Sequence, residues 1–91
     1  MTDVVPIYLK AFTVHDYSDI EIIKKDIKKG MILIIRVGYM AQKDIPNLRK
    51  LINELYDISK AENGELARLG DERIVATPKG VQIWKPEYDL K

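Results

Sequence analysis

The segment Met31–Val37, MILIIRV, constrains this chain more than any other. Its apolar residues are consecutive rather than alternating, and β-branched residues are prominent. That is the pattern of a strand that presents apolar side chains on both faces at the centre of a sheet. A chain of 91 residues builds one hydrophobic core and not two, so the remaining elements have to be arranged around this strand.

Upstream, Ile7, Leu9 and Ala11 alternate with Tyr8, Lys10 and Phe12, which predicts a half-buried strand over Ile7–Phe12, entered through Pro6. Ser18 followed by Glu21 has the spacing of a capping box and predicts a helix from Asp19 to the stop at Gly30. Ile20, Ile23 and Ile27 form its apolar stripe. Lys24, Lys25, Lys28 and Lys29 crowd its last turns, where the helix dipole favours cations. Downstream, Asp44 is placed to cap a second helix and Pro46 suits its first turn. Leu48, Leu51, Ile52, Leu55 and Ile58 then continue the helical period as far as Asn63-Gly64.

Three short strands are expected after that, Glu65–Leu69, Arg73–Thr77 and Val81–Trp84, divided by Gly70-Asp71-Glu72 and by Pro78-Lys79-Gly80. Gly30, Gly64, Gly70, Pro78 and Gly80 are the expected turn residues. The predicted order is βαβαβββ, a single α/β domain in the form of an α+β sandwich, with two helices packed on a mixed sheet of about five strands. Residues 1–6 form a lead-in, 7–84 the core and 85–91 a C-terminal tail. Two helices cover one face of such a sheet, yet MILII is apolar on both. A second copy of the chain is therefore expected on the other face, in a homodimer whose interface includes Ile32, Ile34 and, from the second helix, Ile58.

Chemistry-bearing residues are sparse. With no cysteine, the chain has no disulfide, thiolate or iron–sulfur chemistry and lacks the usual structural zinc ligands. One histidine, His15, lies beside Asp16, but no nucleophile accompanies the pair in a recognisable motif, and an ordinary loop histidine explains it. Asp19, Glu21 and Asp26 read as solvated helix surface rather than as metal ligands, and the glycines form no phosphate-cradling loop. No catalytic residue, metal or cofactor is expected. Fifteen basic against fourteen acidic residues leave a net charge of +1, too little to drive sequence-independent phosphate binding. Trp84 with Tyr8, Phe12 and Arg68 is for the same reason a poor base-stacking platform.

The stretch Glu62–Trp84, ENGELARLGDERIVATPKGVQIW, resembles the C-terminal signature of the SepF family of cell-division proteins. There, a glycine is followed by a short strand ending near a second glycine, a strand closing on Thr-Pro, and a final short strand. KKGMILIIRV followed by an Asp-initiated long helix is similar to the family's upstream arrangement, and the archaeal branch is the nearer one. The resemblance implies a non-enzymatic homodimeric adaptor that binds the C-terminal peptide of the tubulin-like protein FtsZ. It implies Arg68 and Ile74 in the FtsZ-peptide pocket, where the bacterial branch often has phenylalanine at the Ile74 position. The broad stripe of the second helix, Leu51 with Leu55 and Ile58, exceeds what packing on the sheet requires and is expected to line the same groove. The implied location is cytoplasmic, at the division site, with peripheral membrane attachment through an N-terminal amphipathic helix that Met1–Pro6 is too short to supply. A competing reading is an Alba-like dimeric nucleic-acid-binding protein, against which the balanced charge and short turns argue.

Overall fold

A computed structural model describes residues 5–84. The chain forms strand β1 (Leu9–Thr13), a 3₁₀ turn (Tyr17–Asp19), helix α1 (Ile20–Lys28) and strand β2 (Ile32–Arg36). Helices α2 (Gly38–Lys43) and α3 (Ile45–Ala61) and strands β3 (Glu65–Arg68) and β4 (Arg73–Thr77) follow. The four strands run in the order β1-β2-β4-β3. β1 and β2 are parallel and joined by the α1 crossover; β4 is antiparallel to both β2 and β3. The result is an α+β domain with three helices on a mixed sheet.

The expected fifth strand is absent. Val81–Trp84 is described but joins no ladder. β4 already has β2 on one side and β3 on the other, so the segment leaving it finds no open edge to extend a meander. The proposed C-terminal tail, 85–91, lies outside the described residues.

Alternation along the strands separates two faces. Leu33, Ile35, Ile74 and Ala76, all at most 2% exposed, point to the helices and meet Ile20, Ile23 and Ile27 of α1 and Leu48, Leu51 and Leu55 of α3. Leu9, Ala11, Ile32, Ile34, Val75 and Ala67 have the opposite parity and remain exposed or half-buried. Gly30, with φ of +82°, occupies the left-handed position that ends α1, and its N–H donates to the Ile27 carbonyl at 3.0 Å. Gly64 admits no side chain for a different reason. A Cβ there would stand 2.2 Å from the Thr77 carbonyl oxygen, where the start of β3 presses on the end of β4. Gly70 and Gly80 also have positive φ, in the links after β3 and β4, and Pro78 opens the second of these links.

Three local expectations are corrected. The first helix is preceded by a capped 3₁₀ turn rather than by a Ser18–Glu21 box: Asp16 accepts from Ser18 N–H at 2.9 Å, and Asp19 accepts from the Asp16 N–H at 3.3 Å and the His15 N–H at 2.8 Å. A carboxylate is the stronger acceptor for free amides at a helix start, so the cap moves two residues upstream. Second, Asp26 is not solvated. It is 5% exposed and paired with Lys10 Nζ of β1 at 2.7 Å. Third, α2 has no counterpart in the sequence expectations. Its six residues begin at Gly38 without a side-chain cap, too short for periodicity to show, yet Met40 is 1% exposed in the core.

Candidate functional site

α3 packs on the sheet so that one flank lies over β3, one of its two edge strands. Asp44 accepts from Asn47 N–H at 3.2 Å and Pro46 fills the first turn, fixing where the helix starts and which residues meet the sheet. Leu48, Leu51 and Leu55 turn inward; Ile52, Asn53 and Tyr56 lie along the flank over β3. β3 supplies Leu66, Ala67 and Arg68, and Ile74 of β4 closes the floor, enclosing a cleft of about 220 Å³.

The pairing register brings Arg68 and Ile74 together. They are directly opposite on antiparallel β3 and β4, on the same face, which the turn at Gly70 had to deliver for the two to meet. Arg68 is exposed, and among the described residues no carboxylate lies within salt-bridge distance of it. Ile74 is 2% exposed, so it forms the floor with little of its own surface open. Tyr56 is about half exposed at the lip, with Lys60 Nζ 5.3 Å from its ring centroid.

Leu51 and Leu55 do not line this cleft. Both are 0% exposed in the core, on the inner side of α3, so they stand behind the groove. The helix wall is made instead by Ile52 and Tyr56, one turn apart. Ile52 was within the apolar stripe, but its place at the stripe's margin was the signal that it faces out. Leu66 was legible as an alternate residue of β3 and was not singled out. The expected interface trio is also divided: Ile32 and Ile34 lie on the sheet face away from the helices, whereas the half-buried Ile58 belongs to the helix layer.

Elsewhere, the His15 ring packs at 5.3 Å from Tyr39, while Asp16 accepts from Ser18, so the neighbouring His and Asp form no hydrogen-bonded pair. The Ser18 side-chain and backbone hydrogen bonds, with a smaller pull from His15, hold the Asp16 carboxyl below its ordinary range. Trp84 is 79% exposed. No helix among the described residues is long and apolar enough to cross a membrane.

An apolar cleft with a guanidinium at its rim that no carboxylate among the described residues pairs suits a peptide that is apolar and partly acidic. The family model described as cell division protein SepF matches residues 9–83. A search of curated protein sequences finds no match. Among solved structures, a SepF-like protein from Archaeoglobus fulgidus superposes with a TM-score of 0.80 at 19% identity, covering 93% of this chain and 99% of that one. A SepF-like protein from Pyrococcus furiosus does so with a TM-score of 0.74 at 21% identity, over 91% and 100%. Cell division protein SepF from Methanobrevibacter smithii, solved in complex with FtsZ-CTD, has a TM-score of 0.75 at 13% identity, over 87% and 99%.

Proposed function

Because the chain belongs to the SepF family of cell division proteins, we propose that it is a non-enzymatic adaptor that binds the C-terminal peptide of FtsZ in the cleft between α3 and β3. The observation that carries this reading is the pairing of Arg68 with Ile74 beside Ile52, Tyr56 and Leu66: an unneutralised charge beside a ready apolar wall. A structural neighbour solved with FtsZ-CTD supports it. Arg68 takes a peptide carboxylate and the wall takes the apolar residues next to it. The face bearing Ile32 and Ile34 packs on a second copy, making a homodimer in the cytoplasm at the division site. Attachment of the division ring to a membrane is then the work of an N-terminal amphipathic helix joined to this core. The comparisons do not favour the nucleic-acid-binding alternative.

Titration of the cognate FtsZ C-terminal peptide by calorimetry tests the reading. Arg68→Ala, at an exposed position, removes a charge-assisted hydrogen bond of ~1.5–3 kcal/mol and weakens binding about tenfold or more. The loss shrinks as salt rises, because the parent's affinity is itself screened. Tyr56→Ala weakens binding with little salt dependence. Ile74→Lys is the wrong probe, since a charge at a core position 2% exposed unfolds the domain before it reports on a cleft. Unchanged affinity in both folded variants would show that the peptide binds elsewhere.

A further inference from the structure

The groove continues past Tyr56. Tyr56 and Leu66 also border a second cleft of about 350 Å³, whose other walls are Ser59, Lys60, Gly64, Glu65 and Ile83. Ile83 is the odd member, because it comes from the segment that fails to become a strand. After β4 the chain turns through Pro78–Val81, with Val81 N–H donating to the Pro78 carbonyl at 3.1 Å and Gly80 at φ +90°. Val81–Trp84 then lies beside the outer edge of the sheet without laddering to it, and Ile83 N–H donates to Glu65 Oε1 at 2.9 Å. The segment is thus held by a carboxylate and a half-buried isoleucine. Beneath it, Ser59 is 2% exposed and its Oγ has no hydrogen-bond partner among the described residues. A buried hydroxyl without a partner is costly, and this one borders the cleft that Ile83 closes.

We propose that Val81–Trp84 is a displaceable strap and that Ile83 holds the place of an apolar residue from an extended peptide. The incoming peptide displaces Ile83, donates its own backbone N–H to Glu65 and gives the Ser59 hydroxyl an acceptor. Its chain continues along the free edge of β3 into the cleft at Arg68. The partner's chemistry follows: an extended segment with an apolar residue for the Ser59 end and, beyond it, an acidic residue for Arg68. This rests on the peptide-binding reading of the first cleft and adds an opposing equilibrium to it, since the strap's occupancy lowers the apparent affinity by the fraction of time the cleft is closed.

The test is calorimetric titration of the cognate FtsZ C-terminal peptide into the full chain, the Ile83→Ser variant and the Ile83→Ser/Glu65→Ala double variant, with circular dichroism to confirm folding. Ile83 lies outside the buried core, so its replacement leaves the fold in place. Ile83→Ser is expected to tighten binding about three- to tenfold by weakening the competitor. Adding Glu65→Ala reverses the gain by removing the acceptor for the peptide N–H. Hydrogen exchange gives a second readout: the Ile83 amide is protected in the free parent and loses that protection when peptide binds. If the parent binds but Ile83→Ser binds no tighter and the amide stays protected in the complex, the strap is overturned while the first cleft stands. If neither parent nor variants bind, the peptide-binding reading fails and the strap falls with it.

Discussion

The two faces of the sheet are built from the same strands and meet opposite fates. On the helix side, Leu33, Ile35, Ile74 and Ala76 are sealed at 2% exposure or less. On the other, Ile32, Ile34 and Val75 alternate with them and remain half-buried, and Leu9 is 64% exposed. Three rows cross that open face. Leu9 and Ile32 stand at one end, with Ala11, Ile34, Val75 and Ala67 across the middle and Thr13, Arg36 and Arg73 at the other end, where Arg36 donates to Thr13 Oγ1 at 3.2 Å. The middle row is small, flat and apolar. Hydrophobicity alone therefore does not decide what is core. The helices decide it, by covering one parity, and the other parity is left as a surface that a second sheet can fit.

The largest effect that separates the faces is a cavity. Leu55→Ala, at 0% exposure under α3, is expected to lose ~2–5 kcal/mol by chemical denaturation. Ile34→Ala, equally apolar but of the other parity, loses about 1 kcal/mol or less from the fold of a single copy. Ile34→Lys sharpens the contrast, keeping the circular dichroism spectrum of the parent; on the proposed homodimer, sedimentation finds the parent dimeric and the variant monomeric. If Ile34→Lys unfolds the chain instead, the open face is core and the distinction collapses.

A smaller effect comes from an ion pair that, alone among the described residues, intrudes on the covered side. Lys10 points towards α1 from the edge strand, with a side chain 39% exposed, while Asp26 is almost wholly buried. Removing the lysine strands a buried carboxylate; removing the aspartate leaves an ammonium that can turn to water. Lys10→Ala is accordingly expected to cost ~1–3 kcal/mol, and Asp26→Ala at most about 1 kcal/mol. Equal losses in urea melts would show that both charges share one environment.

The same contrast explains what could be read from the amino-acid order. Elements with long periodic stripes were legible: α1 and α3, the central β2 and the β3–β4 hairpin all arise at nearly the expected positions, because each carries its pattern over several residues. Val81–Trp84 has strand-like composition, but β4 has no free edge on which to continue the meander, and beside the edge strand β3 the segment is tied through the Glu65 carboxylate rather than by a ladder. Arg68 and Ile74 were legible as a pair once the hairpin was assumed. Leu51 and Leu55 were misplaced because a helical stripe shows which residues are apolar without showing where its inner part ends. Only the placement of α3 against β3 makes Ile52 and Tyr56 the wall and the leucines the core. Asp26 escaped notice because its partner Lys10 is sixteen residues away on another element.

The smallest expected effect lies at the N-terminal end of α1, away from both faces. Asp16 is fully exposed, and its carboxyl is held below the ordinary value of 3.8, first by the Ser18 side-chain hydrogen bond and then by the Ser18 amide. Its folded-state value is the depressed one. The stabilisation it contributes is therefore fully present above about 3.8 and is lost as pH falls through that value and on through the folded-state one. Asp16→Asn keeps an acceptor for the Ser18 amide but removes the titrating charge. Urea melts over the acid range should therefore show a slightly shallower fall in stability for Asp16→Asn than for the parent, with the parent slightly the more stable at neutral pH and the two converging at low pH. Asp16 belongs neither to the rows of the open face nor to the lining of the cleft at Arg68, so Asp16→Asn should leave the proposed dimerisation and peptide binding unchanged. A change in either would tie this cap to the groove, and the separation between scaffold and surface drawn above would have to be given up.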